Sequence, residues 1–155
     1  QNNISDPLKR INLIEPLLPF ASAIDIELSE FDKMKNIVSE AKSKGIKIIL
    51  SYHNFKTTPE TSDLNLIISE AEGLDVDIIK IATTTNTLKE LIDLLRIKKN
   101  STIENLSFMG MGNFGMASRL IAAQSGSILN YTAIGETTIK GQWQLEEFLS
   151  ALNSN

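Results

Sequence analysis

The chain has no cysteine and a single histidine among its 155 residues, and each scarcity closes off chemistry. Without thiols there is no disulfide framework, no cysteine nucleophile and no thiolate-held metal. One imidazole with no second nitrogen or sulfur ligand leaves a metal only oxygen donors, so no metal site is expected. No Lys/Arg-rich run is present and the formal net charge is -4. That balance argues against an electrostatic nucleic-acid binder and against docking on an anionic membrane surface, while leaving a small anionic substrate open. No apolar run approaches the ~20 residues of a membrane helix, and the polar start QNNISDPLKR does not read as a signal peptide. A cytoplasmic location is therefore expected, with the Asn-x-Ser/Thr triplets at Asn3, Asn100 and Asn130 coincidental. The chain opens on Gln1, as a fragment or processed product would.

What is there is ordinary globular material. Hydrophobic residues make up 42% and charged residues 22%, enough for one core and hence one domain, or part of one. Short apolar or β-branched runs recur at 23–28 (AIDIEL), 46–52 (IKIILSY), 77–83 (DIIKIAT), 106–111 (LSFMGM) and 127–134 (SILNYTAI), each a predicted strand. Between them lie helix-period segments with end signals. One starts after Asp32 and closes at Gly45, one opens at Thr58-Pro59 and closes at Gly73, and one opens at Asn86 and ends near Lys98-Lys99-Asn100. A further helix runs from near Gly115 to Gly126, and QWQLEEFLSAL supplies the last. Strands spaced by roughly 25–30 residues fit βα units of a parallel sheet. At the front, SDPLKRINLIE reads as a helix broken by Pro16 and Pro19, so another strand should precede it.

Charges inside such strands are costly unless used or paired. Asp25 and Glu27 share a face of the first run, and Lys80 shares a face of the third with Ile78 and Ala82, between Ile79 and Ile81. His53 ends the run between them. Consecutive parallel strands usually neighbour each other, which would set the three sites side by side at the carboxyl end of the sheet, where such folds bind ligands. Lys80 reads two ways. It could snorkel or pair with Asp25 or Glu27; or burial, by disfavouring its ammonium form, makes available an amine for Schiff-base chemistry. His53 is either a half-buried histidine bonded to a carbonyl or a proton carrier, and its strand-end position favours the second.

Arg119 follows the glycine-spaced loop MGMGNFGMASR, expected in the first turn of a helix. There a cation opposes the helix dipole at a cost of up to ~1 kcal/mol, whereas a bound anion gains from amides and guanidinium together. It is read as an anion anchor, against the alternative of a surface arginine. The stretch IGETTIKGQ is either a flexible connection or a substrate lid.

Taken in order and spacing, AIDIEL, IILSYHNFKTTP, DIIKIA, MGMGNFGMASRL and GSILNYTAIGETTIKGQ resemble the type I 3-dehydroquinate dehydratases of the shikimate pathway, along nearly the whole chain. The resemblance implies an α/β fold of the (β/α)8 TIM-barrel family, here the last five parallel βα units, with residues 1–155 as a single domain lacking the first three. It implies an enzyme of aromatic amino acid biosynthesis, usually a homodimer, that dehydrates 3-dehydroquinate to 3-dehydroshikimate without metal or organic cofactor. By that similarity Lys80 forms the Schiff base and His53 shuttles protons. Arg119 holds the substrate carboxylate, Thr138 and Gln142 close over it, and Asp25 and Glu27 support the lysine and histidine. The family usually has serine at the Thr138 position and Ala-Pro where Ile139-Lys140 stand. The glutamate that positions the histidine is expected in the missing front, with no residue here to replace it. Two other readings are a different lysine-imine barrel enzyme, such as a class I aldolase, and a non-catalytic half-barrel that docks on a partner.

Overall fold

The structure is a computed structural model that describes residues 7–100, 103–137 and 139–154. Its frame is a parallel sheet of strands β1 (Ala23–Glu27), β2 (Lys47–Asn54), β3 (Ile78–Thr84) and β4 (Leu106–Met111), lying side by side in chain order. Helices connect them: α1 (Pro7–Ile14) precedes β1, α2 (Lys35–Ser43) joins β1 to β2, and α3 (Thr61–Glu72) joins β2 to β3. After these come α4 (Leu88–Asn100), α5 (Gly115–Gln124) and α6 (Leu145–Leu152). The alternation of strand and crossover helix is what a parallel sheet requires.

Local sequence accounts for most of the element ends. The broken front helix is real: α1 stops at Ile14 and the chain continues as a 3-10 turn, Glu15–Phe20, carrying Pro19 inside it. Asp32 does not cap a helix. It lies in a second 3-10 segment, Leu28–Met34, and pairs with Lys35 at 2.8 Å, and α2 begins two residues later than the sequence predicts. Gly45, at φ +73, turns the chain out of α2 toward β2, a conformation that favours glycine. The start of α4 is a capping box one residue past Asn86: Thr87 Oγ1 accepts from the Glu90 N–H at 3.2 Å, and Glu90 Oε2 accepts from the Thr87 N–H at 2.9 Å.

The fifth predicted run is where the structure departs. Residues 127–134 lie against β4 with the Ile128 N–H donating to the Leu106 carbonyl at 3.4 Å but form no ladder, because serine hydroxyls take the place of further backbone partners. Ser127 Oγ accepts from the Phe108 N–H at 3.2 Å, and Ser107 Oγ donates to the Leu129 carbonyl at 2.8 Å. Ala133 then makes an isolated parallel bridge with Gln144. Among the described residues the sheet therefore has four strands.

The two faces of the sheet differ in chemistry. On one, Ile24, Ile26, Ile48, Leu50, Ile79, Ile81, Leu106 and Phe108 are buried against helix residues such as Val38, Leu64, Ile68, Leu94 and Ile97. Burying an aliphatic side chain of this size is worth about 1.5–3 kcal/mol, so this face carries the folding energy. The opposite face, by the period of two, presents Asp25, Glu27, Ser51, His53, Lys80 and Ser107. Among the described residues, no helix is long and apolar enough to cross a membrane.

Candidate active site

The parallel register sets the polar face in order. Glu27 lies opposite Ser51 across β1 and β2, Ser51 opposite Lys80 across β2 and β3, and Lys80 opposite Ser107 across β3 and β4. His53 stands two residues beyond Ser51 on the same face, opposite Ala82. The expectation that the charged strand positions come together is met by the fold.

Lys80 is 7% exposed, yet its ammonium is not left alone. It donates to Asp25 Oδ2, forming an ion pair across the sheet, and lies 5.0 Å from the centre of the Tyr131 ring. Asp25 is in turn held through its other oxygen, Oδ1, by the Ser51 hydroxyl. The pairing alternative in the sequence reading and the Schiff-base reading are thus not exclusive: the same carboxylate that neutralises the ammonium can take its proton. Tyr131 was not foreseen. Nothing in its local spacing marks it, since it comes from the segment beside β4 that does not behave as a strand.

His53 is held at two points by Glu27. The His53 N–H donates to Oε1 at 3.0 Å, and Nδ1 lies 2.5 Å from Oε2. The ring stacks on Phe55, with centroids 5.7 Å apart and planes 5° from parallel. The structure brings Glu27, one of the two carboxylates expected to support the lysine and histidine, onto His53, so this chain supplies a carboxylate partner of its own. A carboxylate only accepts, so Nδ1 carries the proton of this contact, which leaves Nε2, without a hydrogen-bond partner among the described residues, as the nitrogen able to take a proton.

Arg119 differs from its predicted setting. It is the fifth residue of α5, past the first turn where the dipole acts, and it is 5% exposed. Its Nε donates to the Gly110 carbonyl at 3.0 Å and Nη1 to the Tyr131 carbonyl at 2.8 Å. Burial lowers its pKa to about 10, which still leaves it cationic at neutral pH. Among the described residues Nη2 has no acceptor, so one edge of the guanidinium remains for an anion.

The loop after β4 also receives the chain's last connection. The Gly112 N–H donates to the Lys140 carbonyl at 2.7 Å, Lys140 Nζ donates to Asn113 Oδ1 at 2.6 Å, and Trp143 Nε1 donates to the Met116 carbonyl at 2.7 Å. Gly141, at φ +83, lies so close that a Cβ there would strike the Gly112 carbonyl and the Gly115 backbone. Only glycine allows this contact, and it delivers Gln142 next to the loop that leads to Arg119. The Gln142 backbone N–H donates to the Ile139 carbonyl at 3.2 Å, while among the described residues its side-chain amide has no hydrogen-bond partner. Thr138 lies outside the described residues.

One observation from known proteins decides the lineage. Residues 3–155 match the family model of the type I 3-dehydroquinases. The chain belongs to that family. It is 28% identical over 144 residues to the 3-dehydroquinate dehydratase of Methanococcoides burtonii, covering 92% of this chain and 61% of the relative. To the 3-dehydroquinate dehydratase of Thermodesulfovibrio yellowstonii it is 30% identical over 141 residues, covering 90% and 62%. The type I 3-dehydroquinate dehydratase from Clostridium difficile, solved with covalently modified comenic acid, superposes with a TM-score of 0.88 at 25% identity, over 98% of this chain and 63% of that one. The chain thus spans about three fifths of the length of these relatives, and its four-stranded sheet is a partial barrel of the type I 3-dehydroquinase fold.

Proposed function

We propose that this chain carries the imine-forming and proton-transferring part of a dehydratase that converts 3-dehydroquinate to 3-dehydroshikimate. The observation that supports this most is the juxtaposition of two acid–base pairs on one sheet face, Asp25 with Lys80 and Glu27 with His53. In this reading Lys80 attacks the substrate ketone, and the resulting iminium draws electrons from the adjacent carbon, making its C–H acidic. His53 Nε2 removes that proton while Glu27 steadies the imidazolium through Nδ1–H. The same imidazolium returns the proton to the leaving hydroxyl, water departs, and hydrolysis of the imine releases the product.

Arg119, through its unoccupied edge, meets the substrate carboxylate. Gln142 and the hydroxyl of Thr138 close over the ring. Residues 1–155 are read as the C-terminal part of an eightfold barrel whose first three βα units complete the binding pocket, and the complete enzyme as a cytoplasmic homodimer that uses no cofactor. The test is chemical. Treating the protein with 3-dehydroquinate and borohydride should add the mass of the reduced substrate to the peptide containing Lys80, and Lys80→Ala should abolish it. Label on Lys47 or Lys56 instead would sink the assignment.

A further inference from the structure

The motif around His53 contains a serine that the reaction above does not use. Ser51 is 1% exposed, on the middle of β2, directly opposite Lys80 in the register. Its hydroxyl donates to Asp25 Oδ1, while Asp25 Oδ2 accepts from Lys80 Nζ. Asp25 itself is less confined: its side chain is 36% exposed, on β1, which has a strand neighbour on one side only among the described residues. A short carboxylate in that position can turn toward water unless something holds it.

We propose that Ser51 is a positioning residue for the condensation at Lys80: by holding one oxygen of Asp25 it keeps the other on Nζ, where it receives and returns the lysine proton. This rests on reading Lys80 as the imine-forming residue. The steps balance with aspartate as the carrier. The ammonium gives one proton to Asp25, and the neutral amine forms a C–N bond to the carbonyl carbon. The carbonyl oxygen takes a second nitrogen proton to become the carbinolamine hydroxyl. Asp25 then returns its proton to that hydroxyl, which leaves as water as the C=N bond forms. Nitrogen keeps one proton and the positive charge, and Asp25 is again a carboxylate. Both transfers need the same oxygen at the same place, first as acceptor and later as donor. Without Ser51 the carboxylate is free to rotate between them.

The experiment measures how fast Lys80 in the full chain is reductively alkylated, by propanal with cyanoborohydride and by 3-dehydroquinate with borohydride. Peptide mass spectrometry reads each rate as a ratio to exposed Lys35 in the same sample. Ser51→Ala should lower the Lys80 ratio about 10-fold, the lower end of what losing a hydrogen bond to a charged group costs. Ser51→Thr, which keeps the hydroxyl on a residue suited to a strand, should restore most of it. In an Asp25→Asn background Ser51→Ala should cause no further loss, because there is no carboxylate to orient. If Ser51→Ala does not fold, Ser51→Cys, nearly isosteric but a weak donor, should show the same loss.

A Ser51→Ala or Ser51→Cys ratio equal to the parent would overturn the proposal, as would a renewed 10-fold loss in the Asp25→Asn background. The two probes separate this inference from the reading of the substrate. If propanal labels Lys80 in the expected pattern and 3-dehydroquinate does not, the substrate reading falls and the role of Ser51 stands. If neither probe labels Lys80 above Lys35, both fall.

Discussion

Glu27 grips His53 by its backbone and its ring at once, with Oε1 on the N–H at 3.0 Å and Oε2 on Nδ1 at 2.5 Å. A carboxylate anchored by the same residue it orients has little freedom to swing away, so Nε2 is presented in one direction. Glu27→Gln should therefore slow dehydration by about 10–10²-fold, and His53→Ala by about 10²–10⁴-fold. Both variants should still yield borohydride-trapped Lys80, since neither residue touches the amine. Turnover followed by product absorbance checks the first part. An unaltered rate in Glu27→Gln would make the tether idle.

Arg119, the proposed carboxylate anchor, also serves the fold. Its Nε and Nη1 satisfy the Gly110 and Tyr131 carbonyls, and removing them leaves the buried Gly110 acceptor unpaired at a cost of about 1–3 kcal/mol, with a smaller loss at the part-buried Tyr131 carbonyl. Arg119→Ala should thus lower the melting temperature by several degrees in addition to weakening substrate binding. Measuring the variant with a substrate analogue that lacks the carboxylate separates the two effects. Affinity for the analogue should be the same in parent and variant, and an equal loss with both ligands would make the arginine purely structural.

What could be read from the sequence was whatever is local or periodic. Four strands, their parallel order, the shared face of Asp25 and Glu27, and the placing of these with His53 and Lys80 side by side at one end of the sheet follow from β-branched runs with period two and the neighbouring of consecutive strands, and the structure has them. The run at 127–134 has the same composition but gives no ladder, because Ser107 and Ser127 satisfy backbone groups with hydroxyls, and no periodicity shows which partner a hydroxyl will choose. Partners across strands were harder. That Glu27 would take His53, and Asp25 take Lys80, depends on the stagger between neighbouring strands, which an isolated strand pattern does not contain. The capping box of α4 was legible in Thr87-x-x-Glu90 and lay one residue from the predicted start. Tyr131 was out of reach, since its ring meets Lys80 only through the path of an irregular segment.

Glu90 gives the fold a pH dependence. Burial alone would raise its pKa, but hydrogen bonds from Thr57 Oγ1 and the N–H groups of Asn86 and Thr58, with Thr87, outweigh it and lower the value to about 2. A carboxylate depressed in the folded state contributes stability that is complete above its ordinary range near 4.5 and is lost as pH falls toward 2. Urea midpoints should therefore decline between about pH 5 and pH 2, with a shallower decline in Glu90→Gln. At neutral pH Glu90→Ala should cost about 1–2 kcal/mol, as the loss of a helix cap does. Because Glu90 also pins Thr57 and Thr58, just past His53, amide exchange in residues 55–58 should rise in the variant. A parallel pH response in parent and Glu90→Gln would assign the acid lability elsewhere.

Gly141 offers a test of the closing loop. A methyl group there meets backbone on two sides, the Gly112 carbonyl and Gly115, and the φ of +83 is strained for any L side chain. Gly141→Ala should push the connection off the β4–α5 loop and carry Gln142 with it. KM for 3-dehydroquinate should rise at least about 10-fold, while trapping of Lys80 by propanal stays as in the parent, since the lysine is on a different strand. Unaltered KM would show that the glycine contact does not set the position of Gln142.

The margins of the sheet predict how the chain behaves alone. Ahead of β1 in the chain, Leu13, Leu17 and Phe20 are exposed, Phe20 by 87%, and after β4 Ile134 is 88% exposed with Leu149 close to half. Exposed apolar side chains of this size, together with an edge strand β1 that has a neighbour on one side only among the described residues, favour association. If the first three barrel units cover these margins, the 155-residue chain by itself should run on size exclusion with light scattering above its 17.1 kDa mass, and adding a polypeptide with those units should convert it to a defined complex. Activity should follow a different rule. Lys80, Asp25, Ser51, His53 and Glu27 all belong to this chain, so imine trapping with propanal should be present before the addition and dehydration of 3-dehydroquinate only after it. A monodisperse monomer with full turnover would show that four strands suffice for the pocket, and the partial-barrel reading would then be wrong.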